Sequence, residues 1–197
     1  MIHDRPITDE WLEAAAALVM SGDEAGYRDL LANLERKIKE THPPHFADFV
    51  LARCAGLTVK SGFEPVALIQ WAQKAVGDAR NPWYLHALGL AHLRAGQIGE
   101  AIKRFQESNE ADWDDNGRNQ NWLGMTMAHA KGGRTDEARH CLEKAKSLMK
   151  PALPEAPGLR ARVSGPDWAG YNVLLREAEQ LVSEKRLQEN GAHRTSK

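Results

Sequence analysis

Residues 85–101 read LHALGLAHLRAGQIGEA, and residues 122–138, which begin 37 positions later, read WLGMTMAHAKGGRTDEA. The equivalent residues in this alignment are His92 and His129, Gly96 and Gly133, Ala101 and Ala138, and, just beyond the quoted stretches, Phe105 and Leu142. Repetition at this period is typical of stacked supersecondary units, none of which can bury its apolar face alone. The sequence therefore predicts an all-α protein built from helix pairs.

Each shared position has a physical role in a helix pair. The large apolar residues before the glycine recur at helical spacing and form the stripe of a first helix. Gly96 and Gly133 are expected to end that helix, because glycine takes a positive φ at little cost. Ala101 and Ala138 are small, which lets the second helix approach the first closely. Phe105 then fills the space beyond this approach.

The same pattern, anchored on the glycine that ends the first helix, occurs in two weaker copies around Gly22 and Gly62. Trp11 and Leu31 flank the first of these glycines, and Leu51 and Trp71 flank the second. Four helix pairs are therefore expected between residues 8 and 150. Their predicted boundaries are 8–41, 45–77, 82–112 and 118–150, after a short N-terminal arm at 1–7.

The pattern ends at Lys150. Residues 151–166 are rich in proline and glycine and are expected to form a linker, because proline cannot continue a helix. One amphipathic helix is predicted at 167–187, with Asp167 as its N-cap. We expect it to cap the last pair, as repeat arrays require for solubility. The polar residues 188–197 are predicted to be a disordered tail.

Composition narrows the class of protein. The formal net charge is −1, so no overall positive field attracts nucleic acid or acidic lipid. Cys54 and Cys141 lie in predicted helices, which indicates buried thiols and a reducing compartment. The first residues do not read as a signal peptide, and no apolar run is long enough for a membrane span. These features favour a cytoplasmic protein that binds neither membranes nor nucleic acid.

The repeat resembles the tetratricopeptide repeat. The third unit carries the resemblance in Leu88, Gly89, Gly96, Ala101 and Phe105, and the fourth carries it in Trp122, Gly133, Ala138, Leu142 and Ala145. His92 and His129 replace the usual tyrosine of that family. The resemblance implies a right-handed α-solenoid of about four antiparallel helix pairs with a C-terminal capping helix.

A narrower resemblance covers residues 8–182. Trp11 with residues 22–28, then residues 81–89, 136–139 and 175–179, are similar to the repeat array that follows a serine/threonine kinase domain or WD40 propeller in large bacterial signalling proteins. The kinase glycine loop and the His-Arg-Asp motif are missing from this sequence. It thus predicts a non-catalytic protein, with a protein, a peptide or a flanking kinase or WD40 domain as partner.

The residues themselves do not favour catalysis. The histidines lack the spacing of a zinc helix, the cysteines fall on apolar stripes, and no nucleophile elbow or phosphate loop is present. The sequence therefore predicts no catalytic residue, cofactor or metal. Two functions stay open, a scaffold for protein–protein interaction and a structural spacer or self-associating tail of a larger or split protein. An enzyme with an unrecognised site is the third alternative.

In tetratricopeptide arrays the first helices line a concave groove that binds partner segments. By this resemblance the groove residues are Phe49, Lys60, Trp83, His86, Leu90, Arg94, Gln120, Met127 and Lys131. We expect a mostly apolar groove with a cationic rim formed by Lys60, Arg94 and Lys131. Such a groove suits an apolar or mildly acidic segment.

Overall fold

The computed structural model describes residues 6–41, 46–77, 81–111, 115–149 and 165–195, and within these ranges the chain is helical, with no strand. The helices are α1 (Glu10–Ser21), α2 (Glu24–Thr41), α3 (Phe46–Gly56), α4 (Pro65–Val76), α5 (Pro82–Arg94), α6 (Ile98–Glu110), α7 (Asp115–Lys131), α8 (Thr135–Met149) and α9 (Gly165–Thr195). The all-α prediction is thereby confirmed. The predicted linker falls on residues 151–164, outside the described ranges, and on the first two residues of α9.

Neighbouring helices pack in pairs. The pairs are α1 with α2, α3 with α4, α5 with α6, and α7 with α8, and the second helix of each pair also packs against the first helix of the next. The odd-numbered helices α1, α3, α5 and α7 contact one another in that order and form a continuous row.

The turns within three of the pairs are built alike. Gly22, Gly96 and Gly133 have φ values of 78°, 72° and 74°. Each glycine N–H donates to the carbonyl three residues earlier, and the next N–H donates to the carbonyl five residues before it. This is the Schellman arrangement, which satisfies the last carbonyls of a helix. The prediction that Gly96 and Gly133 end the first helix of their pairs with a positive φ is confirmed.

The second pair departs from this rule. Gly62 has a positive φ of 81°, but α3 already ends at Gly56. The reason lies in α5, because the Arg94 side chain donates from Nε to the Gly56 carbonyl at 2.8 Å and from a terminal nitrogen to the Leu57 carbonyl at 2.7 Å. A guanidinium thus takes the place of the glycine turn at the end of α3.

Helix α9 is longer than predicted and contacts more of the molecule. It packs against α7 and α8, as a cap on the last pair would, but it also packs against α1 at the opposite end of the row. The predicted tail at 188–197 is wrong for residues 188–195, which continue the helix. Polar composition alone does not end a helix that packing has already started, and residues 188–195 contain no proline.

The buried hydrophobic side chains form two clusters, and α9 contributes to both. The first cluster lies between α1 and α5 and includes Val173 of α9. The second lies between α5 and α8 and includes Tyr171, Leu174 and Ala178 of α9. The C-terminal helix therefore contributes buried side chains to both halves of the core.

Candidate functional site

The surface of the odd-numbered helices, where the groove was predicted, is covered by α9. We call this surface the α9 face and define it by the residues that form hydrogen bonds with α9 there: Arg53, Arg94 and Gln120. Arg53 of α3 lies near the start of α9, and Arg94 of α5 lies near its middle. At the far side, Arg176 of α9 donates to the Met20 carbonyl of α1 at 3.4 Å.

Arg53 is a buried cation held between an acid and an aromatic ring. Its guanidinium donates to Asp167 Oδ1 of α9 at 2.8 Å, and only 5% of its side chain is exposed. The same guanidinium lies 4.0 Å from the centre of the Trp83 ring. Gln120 of α7 completes the cluster, because its amide nitrogen donates to the Asp167 carbonyl at 3.3 Å. A cation in this setting is stabilised by its carboxylate and by the ring face.

Arg94 forms the second charged contact with α9. Its two terminal nitrogens donate to the carboxylate of Glu177 at 2.6 and 2.8 Å, in the bidentate geometry that favours arginine over lysine. Only 2% of the Arg94 side chain is exposed. The expectation that Arg94 belongs to an exposed cationic rim is corrected, because α9 covers it and supplies its acid.

Most of the predicted groove residues are inside the protein. The buried ones are Phe49, His86, Leu90, Arg94, Gln120 and Met127. Trp83 is half-buried beneath Arg53. Lys60 and Lys131 are exposed, and Lys60 forms an ion pair with Glu24 of α2. Of the predicted rim, the two lysines alone face solvent.

His86 belongs to a buried polar network behind the α9 face. Its Nδ1 lies 2.8 Å from Asn121 Oδ1, while the Asn121 amide donates to Ser108 and Asn109. Because the Asn121 oxygen can only accept, His86 Nδ1 carries the proton. Burial first, and then the positive charge of Arg53, lower the pKa of His86 to about 3.

The His86 network predicts acid sensitivity. His86 stays neutral when folded but titrates near pH 6.5 when unfolded, so the unfolded chain binds the extra proton between these values and stability falls as pH falls. We expect wild type to lose about 2 kcal/mol more than His86→Leu between pH 7 and pH 5, because one pH unit corresponds to about 1.4 kcal/mol. Urea unfolding at each pH measures this difference. His140→Gln, on the exposed surface of α8, is the control and should keep the wild-type slope. Equal slopes for His86→Leu and wild type would contradict the role of His86.

The two cysteines, Cys54 and Cys141, are buried thiols with raised pKa values. Both are buried, and burial raises the pKa of Cys54 to about 12 and that of Cys141 to about 11. In the described residues no group of three histidine, cysteine or acidic side chains is placed to hold a metal ion. No helix in that part of the chain is long and apolar enough to cross a membrane.

A cleft of about 440 Å³ runs beside α9. Its walls come from the α1–α2 turn, from residues 57–60 after α3, and from α9. The apolar part of the lining includes Leu18, Val19, Leu57, Val173 and Leu181. Lys60 and Glu177 also border it, so the cleft lies next to the Arg94–Glu177 pair. Of the predicted groove residues, only Lys60 lines this cleft.

The ion pairs of Arg53 with Asp167 and of Arg94 with Glu177 were not predicted from the sequence. One signal was available, because Arg53 is a lone cation in the otherwise apolar run 49–57. Its acid lies 114 positions further along the chain, and no local pattern connects the two.

No protein-family model matches this chain, and neither does any curated protein.

Proposed function

We propose that this chain is a non-catalytic scaffold for protein–protein interaction, built as a right-handed, tetratricopeptide-type solenoid of about four helix pairs. Its place in bacterial kinase-linked signalling is proposed from the sequence resemblance. The partner is a protein segment that binds along the odd-numbered helices.

One observation carries the proposal: the α9 face holds a helix. Arg53 and Arg94 each donate charge-assisted hydrogen bonds to an acid on α9, and apolar side chains pack between these two points. Helix-in-groove binding is a recurring mode of protein recognition, in which an apolar stripe gives affinity and flanking charges give register. A surface that already binds a helix within the chain has the chemistry needed to bind one from a partner.

The proposal is tested by capture of partners with the full-length chain from its host cells, followed by binding measurements with the purified partner. We expect a specific heterologous protein whose affinity falls at least tenfold at low salt when Lys60 and Lys131 are both changed to Glu. Lys103→Glu, an exposed lysine on α6, is the matched control and should leave affinity unchanged. Recovery of the chain alone would favour the self-associating spacer. If the double variant and Lys103→Glu lose affinity for the partner equally, the partner binds at a different surface.

A further inference from the structure

We infer that α9 is a built-in ligand of the α9 face, and that the partner is an amphipathic acidic helix that takes its place. This inference rests on the proposed scaffold function and specifies the chemistry of its ligand.

The charges of the face require an acidic occupant. In the described part of the chain, Asp167 is the carboxylate that pairs with Arg53, and Glu177 is the one that pairs with Arg94. Both acids are on α9, so its departure removes from each guanidinium group the carboxylate that now pairs with it. An occupant without carboxylates would bury these cations uncompensated, which is strongly unfavourable. The partner helix therefore carries acids ten positions apart, as Asp167 and Glu177 are, which spans about 15 Å of helix.

The fit of α9 is incomplete. Apolar side chains form part of the lining of the 440 Å³ cleft beside it, and this cleft opens next to Glu177. Leu175, Leu181 and Val182 of α9 are only half-buried, and Leu187 is 71% exposed. A helix with larger apolar side chains toward the cleft buries more surface than α9 does, and each buried methylene adds to affinity. Such a helix is therefore favoured over α9 as the occupant of the α9 face.

Exchange leads to a measurable competition. While α9 occupies its face, a helix added from outside meets only the small fraction of molecules in which the face is open, and its apparent affinity is lowered by that fraction. A substitution that weakens α9 within the chain therefore strengthens binding of the added helix. The probe is a fluorescein-labelled peptide of residues 165–188, titrated into the full-length chain and followed by fluorescence anisotropy.

We expect the Glu177→Gln chain to bind this peptide at least tenfold more tightly than the wild-type chain, because the peptide returns the carboxylate that Arg94 has lost. Glu184→Gln is the matched control, since Glu184 is an exposed acid of α9 that accepts from Gln180 within the same helix. It should bind like wild type. A peptide that itself carries Glu177→Gln should lose the gain. If the Glu177→Gln chain binds no more tightly than the Glu184→Gln chain, the inference is wrong.

Hydrogen exchange of the wild-type chain gives an independent readout that needs no variant. A helix that leaves its face on its own exchanges its amides through a local opening, before the rest of the protein unfolds. We expect α9 amides to exchange at least tenfold faster than those of α5. Equal rates would show a permanent core helix and would overturn the inference.

These results separate the inference from the proposed function. If the chain binds the peptide as expected but captures no other protein from cells, the exchange of α9 is supported and the scaffold role is not. If the chain binds a partner through Lys60 and Lys131 but the Glu177→Gln chain shows no gain in peptide affinity, the scaffold role is supported and the exchange of α9 is not.

Discussion

Arg94→Ala is expected to destabilise the chain by about 3–5 kcal/mol, the usual cost of removing one partner of a buried ion pair. The truncation leaves the Glu177 carboxylate without its cation. It also leaves the Gly56 and Leu57 carbonyls without the donors that end α3. Urea unfolding of both proteins followed by circular dichroism measures the difference in the free energy of unfolding.

Two further variants distinguish the contribution of the buried Arg94–Glu177 pair to stability from that of an exposed ion pair. Arg36→Ala removes an exposed pair with Glu40 on α2 and should cost less than about 1 kcal/mol. Arg94→Met combined with Glu177→Met removes both charges and should recover part of the loss, because apolar side chains can replace a buried ion pair. If Arg94→Ala is as mild as Arg36→Ala, then the contact between α5 and α9 does not carry this energy.

Gly124→Ala is expected to destabilise the chain by about 3 kcal/mol through overpacking. The Phe105 ring of α6 is fully buried and lies between Gly89 of α5 and Gly124 of α7. A methyl group at Gly89 would lie 2.5 Å from the ring, and one at Gly124 would overlap it as well. The ring is thus confined on both sides and cannot move away. Urea unfolding again measures the effect.

The control for this substitution is Gly99→Ala on α6, where an added methyl group meets open space. It should stabilise the chain by up to about 1 kcal/mol, because alanine is the better helix former. Combining Gly124→Ala with Phe105→Leu should give less than the sum of the single effects, since the smaller side chain makes room. Additive effects would show that the ring is not the source of the cost.

The sequence was informative where a residue acts on its near neighbours. The repeat predicted the small residues Ala101 and Ala138 and the filling side chain of Phe105, and all three are fully buried. It also predicted the positive φ of Gly96 and Gly133. These roles depend on contacts within one helix pair or, for Phe105, also with the first helix of the next pair, and the same local requirement occurs twice in the chain.

The position of α9 could not be predicted in the same way. Its apolar stripe shows that it packs, but a stripe does not specify which surface it covers. On the surface that it covers, α9 forms two ion pairs whose members are 83 and 114 positions apart in sequence. An arginine on an apolar helix has the same local sequence pattern whether it faces solvent or an acid. The groove was therefore predicted to be open, whereas in the structure α9 covers it.

The contact of α9 with α1 has a consequence for folding. In a stack held together only by neighbouring units, either end can fray while the other stays folded, and folding can begin anywhere. Here the last helix joins the first, so the ends are tied into a ring of contacts. Closing that ring requires a loop of most of the chain, which raises the contact order and slows folding. Departure of α9 opens that ring and uncovers α1 and α7 together.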